Sequence, residues 1–173
     1  MKVLGILALS CVLVPLAPHE TWPSDDGFVV QSMVPASAGK AAVHWAVLGA
    51  RQRLEKPACQ GLFSEFSDSS GRTLQENLDA LGKSGADYLG TILFADGSET
   101  RPCKEGAPFA FTTTGSRVRV VYICGRRLQN VAARDPVRVQ ATIIHEALHT
   151  LGLGENPPSS SEITARVLAR CQS

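Results

Sequence analysis

The chain has 173 residues, of which 44% are hydrophobic, and its 17 basic and 16 acidic residues give a formal net charge of +1. A chain so close to neutral lacks the basic surplus typical of nucleic-acid-binding proteins, so nucleic acid is not an expected partner. The length and the apolar fraction suit one hydrophobic core. We therefore expect a single mature domain of about 150 residues, and a monomer.

The amino terminus has the pattern of a secretory signal peptide. Lys2 precedes an apolar run over residues 3–17 that is too short to span a membrane comfortably. Residues 1–18 are predicted to be the signal peptide, although no clean cleavage site follows them. Cys11 lies too early for a lipoprotein acceptor, which argues against a lipid anchor. We expect a secreted or periplasmic protein with no membrane span.

The remaining cysteines agree with export. Cys59, Cys103, Cys124 and Cys171 form an even set that allows two disulfides and three connectivities. Cys103 and Cys124 flank a predicted hairpin and could pair locally, which would leave Cys59 to pair with Cys171. The sequence does not choose among the three connectivities. No two of these cysteines form the close pair that a second zinc site would need.

The predicted elements of the mature chain follow in order. Residues 19–39 contain Pro, Gly, Ser and Asp and are predicted to be an irregular, exposed segment. Helical spacing of apolar residues predicts helices over 41–54 and 75–81, and strand patterns predict strands over 87–95, 109–113 and 118–124. The last two strands would form a hairpin through residues 114–116. Helices before a small sheet and after it predict an α+β fold, whose sheet is antiparallel or mixed.

A further helix is predicted from residue 136 to residue 151. Asp135 can cap its first turn, Pro136 suits its first position, and Gly152 can end it in a left-handed conformation. Its apolar residues recur at three- and four-residue steps, so one face should be anchored in the core.

This helix carries the residues with the clearest chemistry. His145 and His149 are four residues apart, so their imidazoles lie about one turn apart on one face, the separation that a single zinc ion needs. Glu146 is placed to accept a proton from water at that ion. The pattern predicts a hydrolytic zinc site in which His145 and His149 are ligands and Glu146 is the catalytic base.

Two carboxylates could supply the third ligand. Glu155 follows Gly152 by three residues, and the flexible Gly154 would let the chain return beneath the metal. Glu162 begins a predicted C-terminal helix, in which Ile163, Val167 and Leu168 have helical spacing. Ser159 and Glu162 together also have the spacing of a capping box. Glu155 is our preferred ligand and Glu162 is the alternative.

The run over residues 145–155, His-Glu-Ala-Leu-His-Thr-Leu-Gly-Leu-Gly-Glu, resembles the zinc signature of the metzincin metallopeptidases, particularly the matrixin branch. The resemblance implies a zincin-like domain over residues 40–173 and a third ligand at Glu155, where the family usually has His. It extends over eleven residues only. Metzincins also carry a methionine beneath the metal, whereas the only methionines here are Met1 and Met33. With Glu162 as ligand, the arrangement would instead resemble that of the gluzincins.

Tyr122 and His44 are weaker candidates for the site. Tyr122, in the strand predicted to neighbour the zinc helix, could steady an oxyanion, but a tyrosine packed on the sheet is the favoured interpretation. His44 beside Trp45 is interpreted as structural. We therefore expect an exported zinc metallopeptidase that hydrolyses peptide or protein substrates. The alternative is a non-catalytic exported domain that zinc stabilises.

Overall fold

The computed structural model describes residues 27–106, 108–113 and 118–172. The predicted signal peptide, the first part of the predicted irregular segment and the turn of the predicted hairpin therefore lie outside the described residues. The helices are α1 (Lys40–Leu54), α2 (Pro57–Gln60), α3 (Leu62–Glu65), α4 (Leu74–Ala80), α5 (Gly85–Leu89), α6 (Arg101–Glu105), α7 (Gly125–Ala132), α8 (Pro136–Thr150) and α9 (Ser160–Cys171). The strands are β1 (Gln31–Ser32), β2 (Leu93–Asp96), β3 (Ala110–Phe111) and β4 (Val120–Ile123).

The strands form one mixed sheet in the order β1-β2-β4-β3. The strand β2 is parallel to both β1 and β4, and β3 is antiparallel to β4, as the predicted hairpin requires. On β4, Val121 and Ile123 are buried, whereas Val120 and Tyr122 on the other face are partly exposed. The predicted α+β fold with a small mixed sheet is confirmed.

Two predictions about the first half of the chain were wrong in part. Residues 87–95 were predicted as a strand, but α5 occupies the first part and β2 begins only at Leu93. The hydroxyl of Ser84 accepts a hydrogen bond from the amide of Asp87 at 3.0 Å, which caps a helix there. The predicted irregular segment contains β1, whose two residues are too few to show an alternating pattern.

The helix α8 lies at the centre of the fold, in contact with α1, α7, α9, β3 and β4. Its predicted ends are confirmed. The Asp135 carboxylate accepts a hydrogen bond from the Arg138 amide at 2.9 Å, and Gly152 has a φ of 115°. The expected one-sided anchoring was wrong, because residues 143–150 are buried around the whole helix. Both histidines therefore lie within the packed interior.

Two disulfides tie the ends of these elements together. Cys103 in α6 is bonded to Cys124 at the end of β4, and Cys59 in α2 is bonded to Cys171 at the end of α9. The sequence suggested Cys103–Cys124 as a local pairing, which leaves Cys59–Cys171 as the second pairing, and the structure has both. The second disulfide holds α9 against the first half of the chain, and α9 also packs along α8.

Candidate metal centre

The two histidines of α8 point their ε nitrogens at each other. His145 Nε2 and His149 Nε2 are 3.0 Å apart, and their side chains are 5% and 3% exposed. Burial first, and then the neighbouring His149, lower the pKa of His145 to about 4. The His145 imidazole is therefore neutral near pH 7, the form that binds a metal ion.

The chain brings Glu155 back to this pair through a Schellman motif. The Gly152 amide donates to the His149 carbonyl at 3.0 Å, and the Leu153 amide donates to the Leu148 carbonyl at 3.1 Å. The reversal ends α8 and brings Glu155 to the histidines. One ligand atom from each of His145, His149 and Glu155 lies within 4.8 Å of the other two. Glu155, the third ligand that the sequence favours, is thus close to both histidines.

Each histidine uses its δ nitrogen for a contact within the protein. His149 Nδ1 is 2.9 Å from the Leu153 carbonyl, and because a carbonyl can only accept, His149 must donate there. A neutral His149 then carries its lone pair on Nε2, toward the centre of the cluster. His145 Nδ1 is 3.0 Å from the hydroxyl of Thr164 on α9. Contacts of this kind orient metal-binding histidines.

Sequence reasoning missed Thr164 and the Leu153 carbonyl. Both histidines need a partner for the second ring nitrogen, which is a general signal, but nothing in the sequence indicates which residue provides it. Thr164 lies beside the apolar stripe of α9, and only the packing of α9 on α8 brings it to His145.

Glu146 is a buried carboxylate next to this cluster. Its side chain is 7% exposed, and among the described residues it has no ion-pair partner. Burial is the main cause that raises the pKa of Glu146 to about 7, and the charge of Glu155 adds to the rise. The hydroxyl and the amide of Thr112 lie close enough to the Glu146 carboxylate to moderate this rise in its pKa, although the hydroxyl makes no hydrogen bond of standard geometry.

The three side chains suit a zinc ion. Two imidazole nitrogens and one carboxylate oxygen form a usual zinc ligand set, and tetrahedral ligand atoms around zinc are about 3.3 Å apart. The observed 3.0 Å between the two ε nitrogens is close to that separation. Glu155 is exposed whereas both histidines are buried, so the cluster reaches solvent on the Glu155 side. A fourth position on that side could be open to water.

The other candidates, Glu162, Tyr122 and His44, make hydrogen bonds or ring contacts with residues outside the cluster. Glu162 closes the capping box of α9, where its Oε2 accepts from the Ser159 amide at 2.8 Å and the Ser159 hydroxyl at 2.7 Å. Tyr122 stacks on Phe111 with ring centroids 5.2 Å apart. His44 is exposed on α1, with its ring centroid 6.2 Å from that of Trp45.

Comparison with known proteins does not assign the chain to a family. No protein-family model matches it, and neither a curated protein nor a solved structure gives a match. Within the described residues, no helix is long and apolar enough to cross a membrane.

Proposed function

We propose that this chain is an exported zinc metallopeptidase. The observation that carries the proposal is the placement of a buried glutamate between two histidines of one helix, whose imidazoles lie within ligand distance of Glu155. His145, His149 and Glu155 would hold the ion. When bound, zinc would polarise the scissile carbonyl and lower the pKa of a water molecule.

Glu146 would act as the proton carrier of the reaction. Its carboxylate is acceptor-only when ionised, so it can take a proton from the attacking water and then pass it to the leaving amine. Burial in α8 holds its side chain in place. Glu146 does not serve as a ligand in this scheme, because the side chains that come within ligand distance of one another are those of His145, His149 and Glu155.

The sheet offers a way to bind a peptide substrate. The strand β3 lies at the edge of the sheet and contacts α8, and Thr112 immediately follows it beside Glu146. An extended peptide that pairs with the edge of β3 would therefore run close to Glu146. This supports a peptide or protein as the substrate class. Two disulfides are compatible with the secreted or periplasmic location that the proposed signal peptide implies.

Substitution of Glu146 by Gln tests the proposed mechanism. We expect Glu146→Gln to keep zinc and to lower kcat for a mixed-sequence peptide library by at least about a hundredfold, because an amide cannot accept the proton. The control is Glu105→Gln on α6, which makes the same change at an exposed side chain that pairs with Arg101 at 2.7 Å. Equal cleavage by the parent and the Glu146→Gln variant would rule out the mechanism.

Chelation separates this proposal from the alternative of a metal that only stabilises the domain. A catalytic site should lose peptide cleavage while the melting temperature changes little, since two disulfides and the core remain. A structural site should instead show a large fall in melting temperature on removal of zinc. The contact between His145 and Thr164 links α8 to α9 and is the feature that would favour the structural alternative.

A further inference from the structure

A loop far from α8 in sequence packs against the turn that follows it. Ser67 pairs with Thr73 across the loop, and between them Asp68 organises the backbone. One Asp68 carboxylate oxygen accepts from the Ser70 amide at 2.8 Å and from the Ser70 hydroxyl at 2.6 Å. Hydrogen bonds from Ser70 and Asn77 hold the pKa of Asp68 below its usual range, so the carboxylate stays ionised and is a strong acceptor.

Asn77 joins this loop to the turn. Its side-chain amide nitrogen donates both hydrogens, one to the second Asp68 oxygen at 3.0 Å and one to the Leu151 carbonyl at 3.1 Å. The backbone of Asp68 also pairs with that of Leu153. At Gly152, an added Cβ would lie 3.1 Å from the Asp68 Cβ, so the loop and the turn approach as closely as a glycine allows.

The contacts are made at Leu153, whose carbonyl orients a proposed ligand, and two residues before it at Leu151. Asn77 holds Leu151, Asp68 holds Leu153, and the Leu153 carbonyl accepts the Nδ1 hydrogen of His149 at 2.9 Å. Glu155 follows Leu153 by two residues. A shift of this turn would therefore displace the partner of His149 and the backbone that carries Glu155.

We infer that Asn77 is a positioning residue for the metal centre, which acts through Asp68 and the 151–153 turn on His149 and Glu155. Its side-chain hydrogen bonds go to Asp68 and Leu151, neither of which is a proposed ligand. This inference rests on the proposed zinc site. A purely structural role is the competing explanation, because Asn77 also donates to the Leu151 carbonyl at the end of α8, where carbonyls lack helical partners.

The same helix provides a matched control. Gln75 is also an amide side chain on α4 that donates to an aspartate, but its partner, Asp79 at 2.8 Å, lies on the same helix. The experiment compares Asn77→Ala with Gln75→Ala in the disulfide-bonded protein. For each variant, zinc affinity is measured by competition with a chromogenic chelator, the absorption spectrum is recorded with Co²⁺ in place of zinc, and the metal-free protein is melted.

We expect Asn77→Ala to weaken zinc binding by about tenfold or more and to alter the Co²⁺ spectrum, since contacts outside the ligand shell typically tune affinity by this much. Gln75→Ala should change neither property. If Asn77→Ala lowers only the melting temperature and binds zinc as tightly as the parent, the residue is structural and the inference is overturned.

Two further outcomes are also decisive. If Asn77→Ala does not fold, Asn77→Ser, which keeps a polar group too short to reach both partners, is compared by the same zinc and Co²⁺ measurements. If the parent itself binds no zinc, the proposed function fails, and this inference fails with it. Tight zinc binding by the parent and by the folded Asn77 variant would instead overturn the positioning role alone.

Discussion

At the residue scale, the identity of the third zinc ligand has the clearest experimental consequence. Glu155 lies with both histidines, whereas Glu162 accepts hydrogen bonds in a capping box. We expect Glu155→Ala to weaken zinc binding by orders of magnitude because it removes a charged ligand. Glu162→Ala should keep the metal and cause only a small fall in melting temperature from the lost cap. Zinc loss in the Glu162 variant alone would favour a gluzincin-like site.

Thr164 offers a second test at this scale. Thr164→Val keeps the shape of the side chain but removes the hydroxyl that contacts His145 at 3.0 Å. We expect zinc affinity to fall by about tenfold, as for other residues that orient a ligand. Thr142→Val on α8 is the control, since that hydroxyl donates to the Arg138 carbonyl at 3.1 Å within the helix. An unchanged affinity for Thr164→Val would mean that the contact does not orient His145.

At the scale of elements, the site depends on how α9 is held against α8. The Cys59–Cys171 disulfide, with a sequence separation of 112, closes the far end of α9, while Cys103–Cys124 closes a separation of only 21. In the chain-entropy account, a longer closed loop restricts the unfolded chain more. The two disulfides should therefore differ in how much they stabilise the protein.

We expect the Cys59→Ser/Cys171→Ser variant to lose about 1.5 kcal/mol more stability than the Cys103→Ser/Cys124→Ser variant, from the dependence of loop entropy on length. Unfolding in urea gives both values under the same conditions. Since α9 carries Thr164, the first variant should also bind zinc less tightly than the second. Equal losses of stability would show that loop length does not determine the contribution of each disulfide.

At the scale of the whole molecule, the features that depend on local sequence signals could be predicted, whereas long-range contacts could not. Asp135, Pro136 and Gly152 determine where α8 begins and ends, because capping acts within a turn of the chain. The same helix contains His145 and His149, so their proximity follows from helical geometry alone. The predicted fold class was confirmed for the same reason, since the main helices and the hairpin have local patterns.

The features that the sequence does not predict depend on tertiary packing. Ser84 caps a helix where the sequence pattern indicates a strand, and β1 is a two-residue strand that pairs with β2, a distant segment of the chain. Asn77, Thr112 and Thr164 come from three separate elements or loops, and no spacing in the sequence relates them to α8. Their roles near the candidate centre could be recognised only once the fold had brought them together.

Metal analysis of the purified protein tests the central claim most directly. After incubation with zinc and dialysis against metal-free buffer, the disulfide-bonded protein should retain about one zinc ion per chain, as three side-chain ligands can hold. The His145→Ala/His149→Ala variant should retain none while staying folded. The account would be contradicted if the parent retained no zinc, or if the double variant retained as much as the parent.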